Sequence, residues 1–310
     1  MIELTNCQIC NSTNFSKITK TRDFSTSGEE FVIVKCQDCE FLFTNPRIEE
    51  ENIGEYYKSD KYISHTNSDK GLFNFLYQTV RKHAIKTKTK LLLNSVDTTK
   101  HLDIGCGTGE FLNSCKKKNI ECVGIEPSEI ARNKAIKNYN LDIRSETNLN
   151  QFNMDEFDSV SMWHVLEHVY DLNKTIEHLN RIIRNNGILI IAVPNHKSLD
   201  AKKYKNYWAA WDVPIHVNHF CPKTITNLMS KYNFTLKNKI GMKFDSFYVS
   251  LLSSEYRSGR KQYIEGFLMG VISNISAMLG FTEYSSTIYI LSLIHISEPT
   301  RPRLISYAVF

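Results

Sequence analysis

The central third of the chain alternates short apolar runs with segments whose apolar residues recur at helical spacing. Residues 100–104 form one short run, and residues 188–193 form a nearly all-apolar run that suits a strand buried on both faces of a parallel sheet. The same reading predicts strands over 122–126 and 157–162 and helices over 110–118, 129–138 and 171–184. This alternation predicts a doubly wound α/β fold, with helices on both faces of a mostly parallel sheet.

The end of the chain extends this prediction to a seven-stranded Rossmann-like sheet. A strand-like run lies near Phe234, a long helical stretch follows it, and residues 285–290 form a last β-rich run. We expect this last strand to be antiparallel beside the fifth strand of the sheet. The apolar stretch 266–281 is shorter than the roughly 20 residues of a membrane span and is interrupted by polar residues. It predicts a buried or partly buried helix.

Composition adds few constraints on function. The chain of 310 residues carries 38 basic and 33 acidic residues, a net charge of +5. This mild excess does not indicate a nucleic-acid partner. The first residues lack the basic and apolar regions of a secretory signal, so we expect a cytoplasmic protein with no membrane partner. The oligomeric state is left open.

The last twenty residues have a different character from the rest of the chain. Residues 291–310, LSLIHISEPTRPRLISYAVF, resemble a translated sequencing-library adapter with a three-residue index, Pro-Arg-Leu, in its middle. We therefore hypothesise that the natural sequence is recorded to about Ile290, and we leave the segment out of the fold prediction. Resequencing across this junction with a different library chemistry tests the hypothesis.

A glycine-rich loop follows the first strand of the α/β region. In the segment DIGCGTG, glycine occupies alternate positions, which lets the backbone turn sharply and approach a ligand. The loop opens a helix whose free N–H groups point toward that ligand. Glu126 lies 21 residues after Gly105, at the end of the next strand, where a carboxylate can accept hydrogen bonds from ribose hydroxyls. Together these signals predict a nucleotide-type cofactor.

Three motifs in order carry a family resemblance over residues 100–195. The segments LDIGCGTG, GIEPS and WHVLEHV resemble the first, second and post-strand motifs of class I S-adenosylmethionine-dependent methyltransferases, the last in the ubiquinone-biosynthesis-like branch. The resemblance implies S-adenosylmethionine as cofactor and a methyl-transfer activity. It implies these cofactor-binding residues: Asp103 at the methionine amino group, Gly105, Gly107 and Gly109 beneath the ligand, Glu126 at the ribose diol, Pro127 near the adenine, and Trp163 and His164 beside the cofactor.

The main alternative enzyme class is a nicotinamide-dependent oxidoreductase. The glycine loop of that class usually reads G-x-G-x-x-G, with the third glycine one position later than here. In this chain residue 110, which would be that glycine, is glutamate. The acid two residues before Gly105 also suits methyl transfer better. We therefore favour a methyltransferase over an NAD(P)-dependent oxidoreductase.

Four cysteines near the N-terminus have the spacing of a zinc site. Two C-x-x-C pairs are separated by 25 residues, so that both sulfurs of each pair can face one point: Cys7, Cys10, Cys36 and Cys39. Four thiolates complete the tetrahedron of a structural Zn²⁺. The alternatives are disulfides, which the absence of a secretory signal disfavours, or incidental buried thiols. This arrangement distantly resembles sugar C-methyltransferases, in which such a module helps to shape the substrate face.

An aromatic loop after the fifth strand is the predicted acceptor side. It contains two histidines three residues apart, His216 and His219, beyond the carboxyl end of the sheet. In the sugar C-methyltransferases a similar segment reads Tyr-His-Glu-His-Phe, with the last histidine as base. The resemblance makes His219 the catalytic base, while His216 replaces the tyrosine and Asn218 replaces the glutamate. The alternative is that both histidines only form hydrogen bonds within the loop.

These predictions define three units and a function. Residues 1–45 form a zinc-ribbon-like module, 46–99 a helical linker or lid, and 100–290 the methyltransferase domain. We expect methyl transfer to a small-molecule acceptor, such as a nucleotide-linked sugar or another metabolite. The alternatives are the oxidoreductase and a methyltransferase whose zinc ribbon binds nucleic acid or protein. Steeply salt-dependent nucleic-acid binding would favour the last of these.

Overall fold

The computed structural model describes residues 1–57, 72–145 and 148–293 of the chain. Most of the adapter-like segment, residues 294–310, lies outside the described residues. The strands are β1 (Phe15–Arg22), β2 (Glu30–Cys36), β3 (Leu42–Thr44), β4 (Lys100–Ile104), β5 (Glu121–Ile125), β6 (Asp142–Arg144), β7 (Phe157–Trp163), β8 (Ile183–Pro194), β9 (Asn218–His219), β10 (Phe234–Gly241) and β11 (Ser286–Leu293). The helices are α1 (Leu72–Ser95), α2 (Glu110–Lys116), α3 (Glu129–Tyr139), α4 (Leu172–Ile182), α5 (Leu199–Tyr204), α6 (Pro222–Ser230), α7 (Asp245–Ser258) and α8 (Tyr263–Met278).

The described residues form a seven-stranded, mostly parallel sheet. Its strand order is β10-β11-β8-β7-β4-β5-β6, and β4 to β8 are parallel to one another. Strand β11 is antiparallel to both β8 and β10. The predicted α/β fold, its seven strands and the antiparallel last strand beside the fifth are therefore confirmed. The carboxyl ends of β4, β5, β7 and β8 lie along one edge, where ligands bind in such sheets.

Local signals fixed several element boundaries. Strand β4 has the predicted bounds, and the Ser128 hydroxyl caps α3 by accepting a hydrogen bond from the Ala131 amide. Helix α4 ends at Ile182 rather than Arg184, because Ile183 is already extended and pairs with Phe157 of β7. The short strand β6 was not predicted, since three residues carry too little periodicity to be recognised.

The N-terminal module shares a sheet with the methyltransferase part of the chain. Strands β1, β2 and β3 are antiparallel, and β9, from residues 218–219, pairs with β3 at the edge. Side chains from both parts also form one buried core, in which Cys36 and Phe41 belong with Phe220 and Leu228. The predicted boundary at residue 45 is thus crossed by backbone hydrogen bonds and by apolar packing.

Helix α8 is partly buried, in agreement with the prediction, but its bulky apolar residues are not on the buried side. Its inward side is made of small or flexible residues, and at Gly266 and Gly270 a Cβ would lie 2.6 Å and 2.7 Å from atoms of α7. The large apolar side chains are exposed instead: Ile264, Phe267, Leu268, Ile272, Ile275 and Met278. Close packing against α7 needs small residues, which turns the bulky ones to the surface. Among the described residues, no helix has the length and apolar content required to cross a membrane.

Strand β11 continues three residues into the adapter-like segment. Leu291, Ser292 and Leu293 are buried; the first two pair with both neighbouring strands, and Leu293 pairs with Phe234 of β10. They extend the apolar run of residues 288–290, which is sufficient for strand formation whatever their origin. The strand therefore ends at residue 293 rather than at 290, and the origin of the segment stays a hypothesis.

Candidate active site

The glycine loop has the backbone that its sequence predicts. The three glycines lie in the left-handed region, with φ of 73° at Gly105, 55° at Gly107 and 81° at Gly109. A Cβ at Gly107 would have no neighbour within 4 Å, so this side of the loop faces open space. A Cβ at Gly109 would lie 2.8 Å from side-chain atoms of Ala135 and Leu141. Gly107 therefore leaves space for a ligand, and Gly109 allows close packing of α2 against α3.

Alanine at these two glycines is expected to separate cofactor binding from folding. Gly109→Ala should lower the free energy of unfolding by about 2–4 kcal/mol, because it combines an unfavourable φ with overlap in the core. Gly107→Ala should cost only about 1 kcal/mol of stability but weaken S-adenosylmethionine binding, because its methyl group enters the ligand space. Thermal unfolding and calorimetric titration of each variant measure the two effects. Equal cofactor affinities in Gly107→Ala and the parent would contradict this assignment.

Two carboxylates lie at the strand ends that flank this loop. Asp103, in β4, is buried and accepts a hydrogen bond from Ser161 of the neighbouring strand β7. Burial raises the pKa of Asp103 to about 7, against the opposing effects of that bond and of the Lys88 charge. Glu126 follows β5 and accepts hydrogen bonds from the amides of Gly107 and Ser128, each at 2.8 Å. Hydrogen bonds thereby fix both carboxylates, Asp103 before the glycine loop and Glu126 against it.

These features fit the expected cofactor. The methionine ammonium of S-adenosylmethionine supplies a positive charge that a buried carboxylate at Asp103 would hold. Each oxygen of Glu126 keeps a second lone pair for the ribose hydroxyls, and the empty Cβ position at Gly107 leaves room beside them. The indole of Trp163 stacks edge to face on Phe111, and its buried N–H has no hydrogen-bond partner among the described residues. This N–H is available to a ligand.

His164 follows β7 and joins two acidic side chains. Its Nδ1 lies 3.2 Å from Glu167 Oε1, and its Nε2 lies 3.2 Å from Asp245 Oδ2 of α7. Burial opposes the charged form, but the two carboxylates raise the pKa of His164 to about 10. The residue has a φ of 58°, a left-handed conformation that is uncommon outside glycine and is found at functional sites. His164 is therefore a fixed, positively charged group at this edge of the sheet.

An open cavity of about 200 Å³ lies against this group. Its lining includes five ionisable residues: His164, His168, Asp212, His216 and Asp245. Burial is the main cause of raising the pKa of Asp212 to about 7 and of lowering that of His168 to about 4. Asp212 also has a left-handed backbone, with a φ of 37°. The cavity therefore combines residues of left-handed backbone with residues of shifted pKa, a combination that is common in active sites.

The two histidines of the aromatic loop have different surroundings. His216 lines the cavity, where its Nε2 lies 3.8 Å from Asp212 Oδ2. His219 belongs to β9, its Nε2 lies 3.1 Å from Thr44 Oγ1, and its ring packs on Trp211. It is not among the residues that line the open cavity. Burial holds the pKa of His219 well below its usual range. The base role of His219 stays a prediction.

The N-terminal module holds the aromatic loop in place. Thr44 of β3 donates its hydroxyl to the carbonyl oxygen of His216 and its amide to that of Val217. On the opposite side, the Val217 amide donates to the carbonyl of Glu167. A cavity wall that is bonded on both sides is rigid, which suits the positioning of a substrate.

The four N-terminal cysteines meet at one point. Cys7 Sγ lies 3.5 Å from Cys39 Sγ, and Cys10 Sγ lies 3.4 Å from Cys36 Sγ. These distances are too long for disulfides and close to the roughly 3.8 Å sulfur separation of a tetrahedron with 2.3 Å zinc bonds. Their four sulfurs lie within 4.8 Å of one another. The donor set and its spacing fit a zinc ion, with every coordination position filled by protein.

The fold and the glycine loop define the class of protein. A seven-stranded sheet with an antiparallel last strand and a ligand loop after its first strand is the architecture of class I S-adenosylmethionine-dependent methyltransferases, and the chain is an enzyme of this class. Residues 77–238 match the family model described as a methyltransferase domain, and the chain belongs to that family. S-adenosylmethionine is accordingly its cofactor.

The chain is similar to curated methyltransferases in sequence and to solved structures in fold. The chain is 27% identical over 179 residues to a ubiquinone biosynthesis O-methyltransferase of Pelagibacter ubique, covering 54% of this chain and 72% of that protein. It is 30% identical over 121 residues to a demethylmenaquinone methyltransferase of Leptospira interrogans, covering 36% and 46%. Its fold is similar to that of geranyl diphosphate C-methyltransferase from Streptomyces coelicolor, with a TM-score of 0.50, 11% identity and coverage of 74% and 86%. A methyltransferase from Archaeoglobus fulgidus gives a TM-score of 0.48 at 17% identity, covering 72% and 100%.

The three acidic residues of the cavity were not predicted from the sequence. Glu167 lies within the WHVLEHV motif, Asp212 within the aromatic loop, and Asp245 begins α7. The first two were in segments already singled out, and an acid between aromatic residues was the available signal at Asp212. Asp245 had no local signal, because it meets His164 only through the packing of α7 against the sheet.

Proposed function

We propose that the chain transfers a methyl group from S-adenosylmethionine to a small molecule bound in the cavity between His164 and Asp212. The observation that carries this proposal is the position of the cavity. Its lining includes His164, which directly follows Trp163 at the end of β7. The ionisable side chains of Asp212 and His216 also line it. An acceptor there lies next to the cofactor-binding edge of the sheet.

The residues of the chain have separate tasks in this proposal. Asp103 would hold the methionine ammonium of the cofactor and Glu126 its ribose, and the cofactor would supply the methyl group from its sulfonium. Asp212 would accept the proton that the acceptor atom loses when it takes the methyl group. A carboxylate with a pKa of about 7 is suited to accept a proton at neutral pH. Orientation of the acceptor by the rigid loop is worth up to about 7–11 kcal/mol of the barrier.

We propose that the zinc ion is structural and that it supports the acceptor site indirectly, by stabilising the module that contacts the aromatic loop. Four cysteine ligands leave it no open position for water or substrate. Its module supplies Thr44, which is bonded to the loop that carries His216. We propose on this basis that residues 1–45 act as a support for the acceptor site, in accord with the predicted small-molecule function.

The acceptor is identified by a direct assay. Purified protein, with its zinc content measured, is incubated with S-adenosylmethionine carrying a labelled methyl group and with panels of nucleotide-linked sugars, phenols and isoprenoid quinols. Transfer of label to one panel supports the proposal and gives the acceptor class. Transfer to nucleic acid or protein instead, with no labelled small molecule, would replace it with the zinc-ribbon alternative.

Asp212→Asn is expected to lower kcat by roughly 100-fold or more, the contribution of a general base. The parent kcat should rise with pH as Asp212 ionises and level off above about pH 7, and the variant should lose this rise. The control is Asp155→Asn, because Asp155 is exposed and also has a left-handed backbone, which asparagine tolerates. Initial rates at saturating substrates from pH 5.5 to 8 measure the effect. An unchanged pH profile in Asp212→Asn would assign the proton transfer elsewhere.

A further inference from the structure

A second group of potential metal ligands lies on the wall of the acceptor cavity, far in sequence from the cysteines. Glu167, His168 and His216 each offer one ligand atom, and these atoms lie within 4.8 Å of one another. From this juxtaposition we infer that the cavity binds a divalent transition-metal ion. The binding of the ion rests on these three residues alone, whereas its role in catalysis rests on the proposed function.

The hydrogen bonds of the two histidines prepare them as ligands. His168 Nδ1 lies 3.1 Å from the carbonyl oxygen of Ile215, and His216 Nδ1 lies 2.9 Å from that of Ala210. A carbonyl oxygen only accepts hydrogen bonds, so Nδ1 of His216 carries the proton. Nδ1 of His168 carries it as well when it donates to Ile215, and the Tyr57 hydroxyl, also 3.1 Å away, is then a second acceptor. Each Nε2 is then left with a free lone pair. Metal-binding histidines are usually fixed by such a bond from the other ring nitrogen to a carbonyl or carboxylate.

Glu167 has an oxygen that the protein leaves without a partner. Its side chain is buried, and Oε1 is engaged by His164, but Oε2 has no hydrogen-bond partner among the described residues. A buried carboxylate oxygen without a partner costs about 1–3 kcal/mol or more. The two histidines stand beside it without bonding it. A cation between the three side chains would satisfy this oxygen and both imidazole lone pairs at once.

The charges around the cavity also favour a cation. Glu167 and Asp245 both lie beside the positive charge of His164, and the charge of Lys88 also acts on Asp245. Asp212 adds a third acid, 3.8 Å from His216. Among the described residues, these three acids outnumber the two cations, His164 and Lys88. A bound divalent ion would reduce this excess of negative charge in a partly enclosed space.

The donor set indicates the kind of ion and its use. Two imidazole nitrogens and one carboxylate oxygen suit Zn²⁺, Fe²⁺, Co²⁺ or Mn²⁺, and three protein ligands leave positions open, as in catalytic metal sites. The open positions face a cavity that can hold a small molecule. An acceptor hydroxyl bound there would have a lowered pKa, and Asp212 lines the same cavity. The acceptor class is therefore a hydroxylated molecule with an oxygen free to bind the ion.

Cobalt titration of the full chain tests the site without cofactor or acceptor. The protein is first loaded with one equivalent of zinc, which the four cysteines bind, and is then titrated with Co²⁺ by calorimetry and visible absorption. We expect one further equivalent to bind, with weak d–d bands and no intense thiolate-to-cobalt band. Glu167→Gln and His216→Gln should each weaken this binding by at least about 10-fold. His83→Gln, at an exposed histidine of α1, is the matched control and should bind as the parent does.

The outcomes separate this site from the other proposals. Cobalt bound only with thiolate bands, or with an affinity that neither cavity variant changes, would overturn the inference. Each variant is checked by thermal unfolding and by S-adenosylmethionine binding, so that loss of the fold is not mistaken for loss of the site. His168→Gln gives a third, independent test if one variant unfolds. Because no acceptor is present, failure of methyl transfer leaves this result unaffected.

Discussion

Asp103→Asn is expected to weaken S-adenosylmethionine binding by roughly 100-fold or more at pH 7.5. The substitution keeps the shape of the side chain and an oxygen that accepts from Ser161, but it removes the charge that faces the methionine ammonium. Removing one member of a buried charge pair costs about 2–5 kcal/mol of binding free energy. Calorimetric titration measures the change. Asp142→Asn, at a mostly exposed strand position, is the matched control and should bind the cofactor normally.

The same carboxyl group makes cofactor binding depend on pH. Since the pKa of Asp103 in the free protein is about 7, the group is largely protonated at pH 6 and must lose its proton to hold an ammonium. The affinity of the parent should therefore rise by up to about 10-fold per pH unit toward pH 7 and then flatten. In Asp103→Asn this rise should vanish. A pH-independent affinity in the parent would show that Asp103 is already ionised or does not contact the cofactor.

The effect of Asp103 on the stability of the free protein has the opposite sign. Its pKa is raised on folding from an ordinary value of 3.8, so the folded chain binds more protons than the unfolded chain between about pH 4 and 7. Stability contributed by the protonated group is lost as pH rises through this window. Asp103→Asn should consequently melt at a higher temperature than the parent at pH 7.5 without cofactor. A functional residue that costs stability is the expected trade-off.

Loss of the zinc site is expected to have the largest effect on folding. Cys36→Ser should abolish zinc binding, which contributes about 10–16 kcal/mol in small zinc domains at neutral pH. Because Cys36 lies in the same core as Phe220 and β3 pairs with β9, the damage should spread from residues 1–45 to the aromatic loop. We expect a lower melting temperature and loss of S-adenosylmethionine binding together. Metal analysis, thermal unfolding and calorimetry measure the three effects.

The control for this prediction is Cys122→Ser, a half-buried cysteine of β5 that lies outside the cluster. It should keep one zinc ion per chain and change stability by a smaller amount. A Cys36→Ser protein that is free of zinc but as stable as the parent would show that the thiols are merely buried. The proposal of a structural zinc would then be withdrawn, while the methyltransferase assignment would stand.

Sequence reasoning succeeded where the physical signal is local. Strand β4, the glycine loop and the Ser128 cap depend on a few consecutive residues whose conformations are restricted by steric and hydrogen-bonding rules, and their structures agree with the prediction. Six of the seven strands of the sheet followed from the apolar runs over residues 100–195, the run near Phe234 and the final β-rich run, whereas β6 had no such signal. The meeting of the four cysteines followed from their spacing.

Only the tertiary structure decided how the acceptor side is built. Glu167 and His168 meet His216 across more than 40 residues of sequence, and Asp245 reaches His164 from a helix further along the chain. Hydrophobic periodicity predicts which face of a helix or strand is buried, but it does not predict which loops come together at the edge of a sheet. The pairing of β3 with β9 is of the same kind, because it joins two short strands through long-range hydrogen bonds. The sequence by itself thus determined the class of enzyme and its cofactor loop, whereas folding placed the side chains that surround the acceptor.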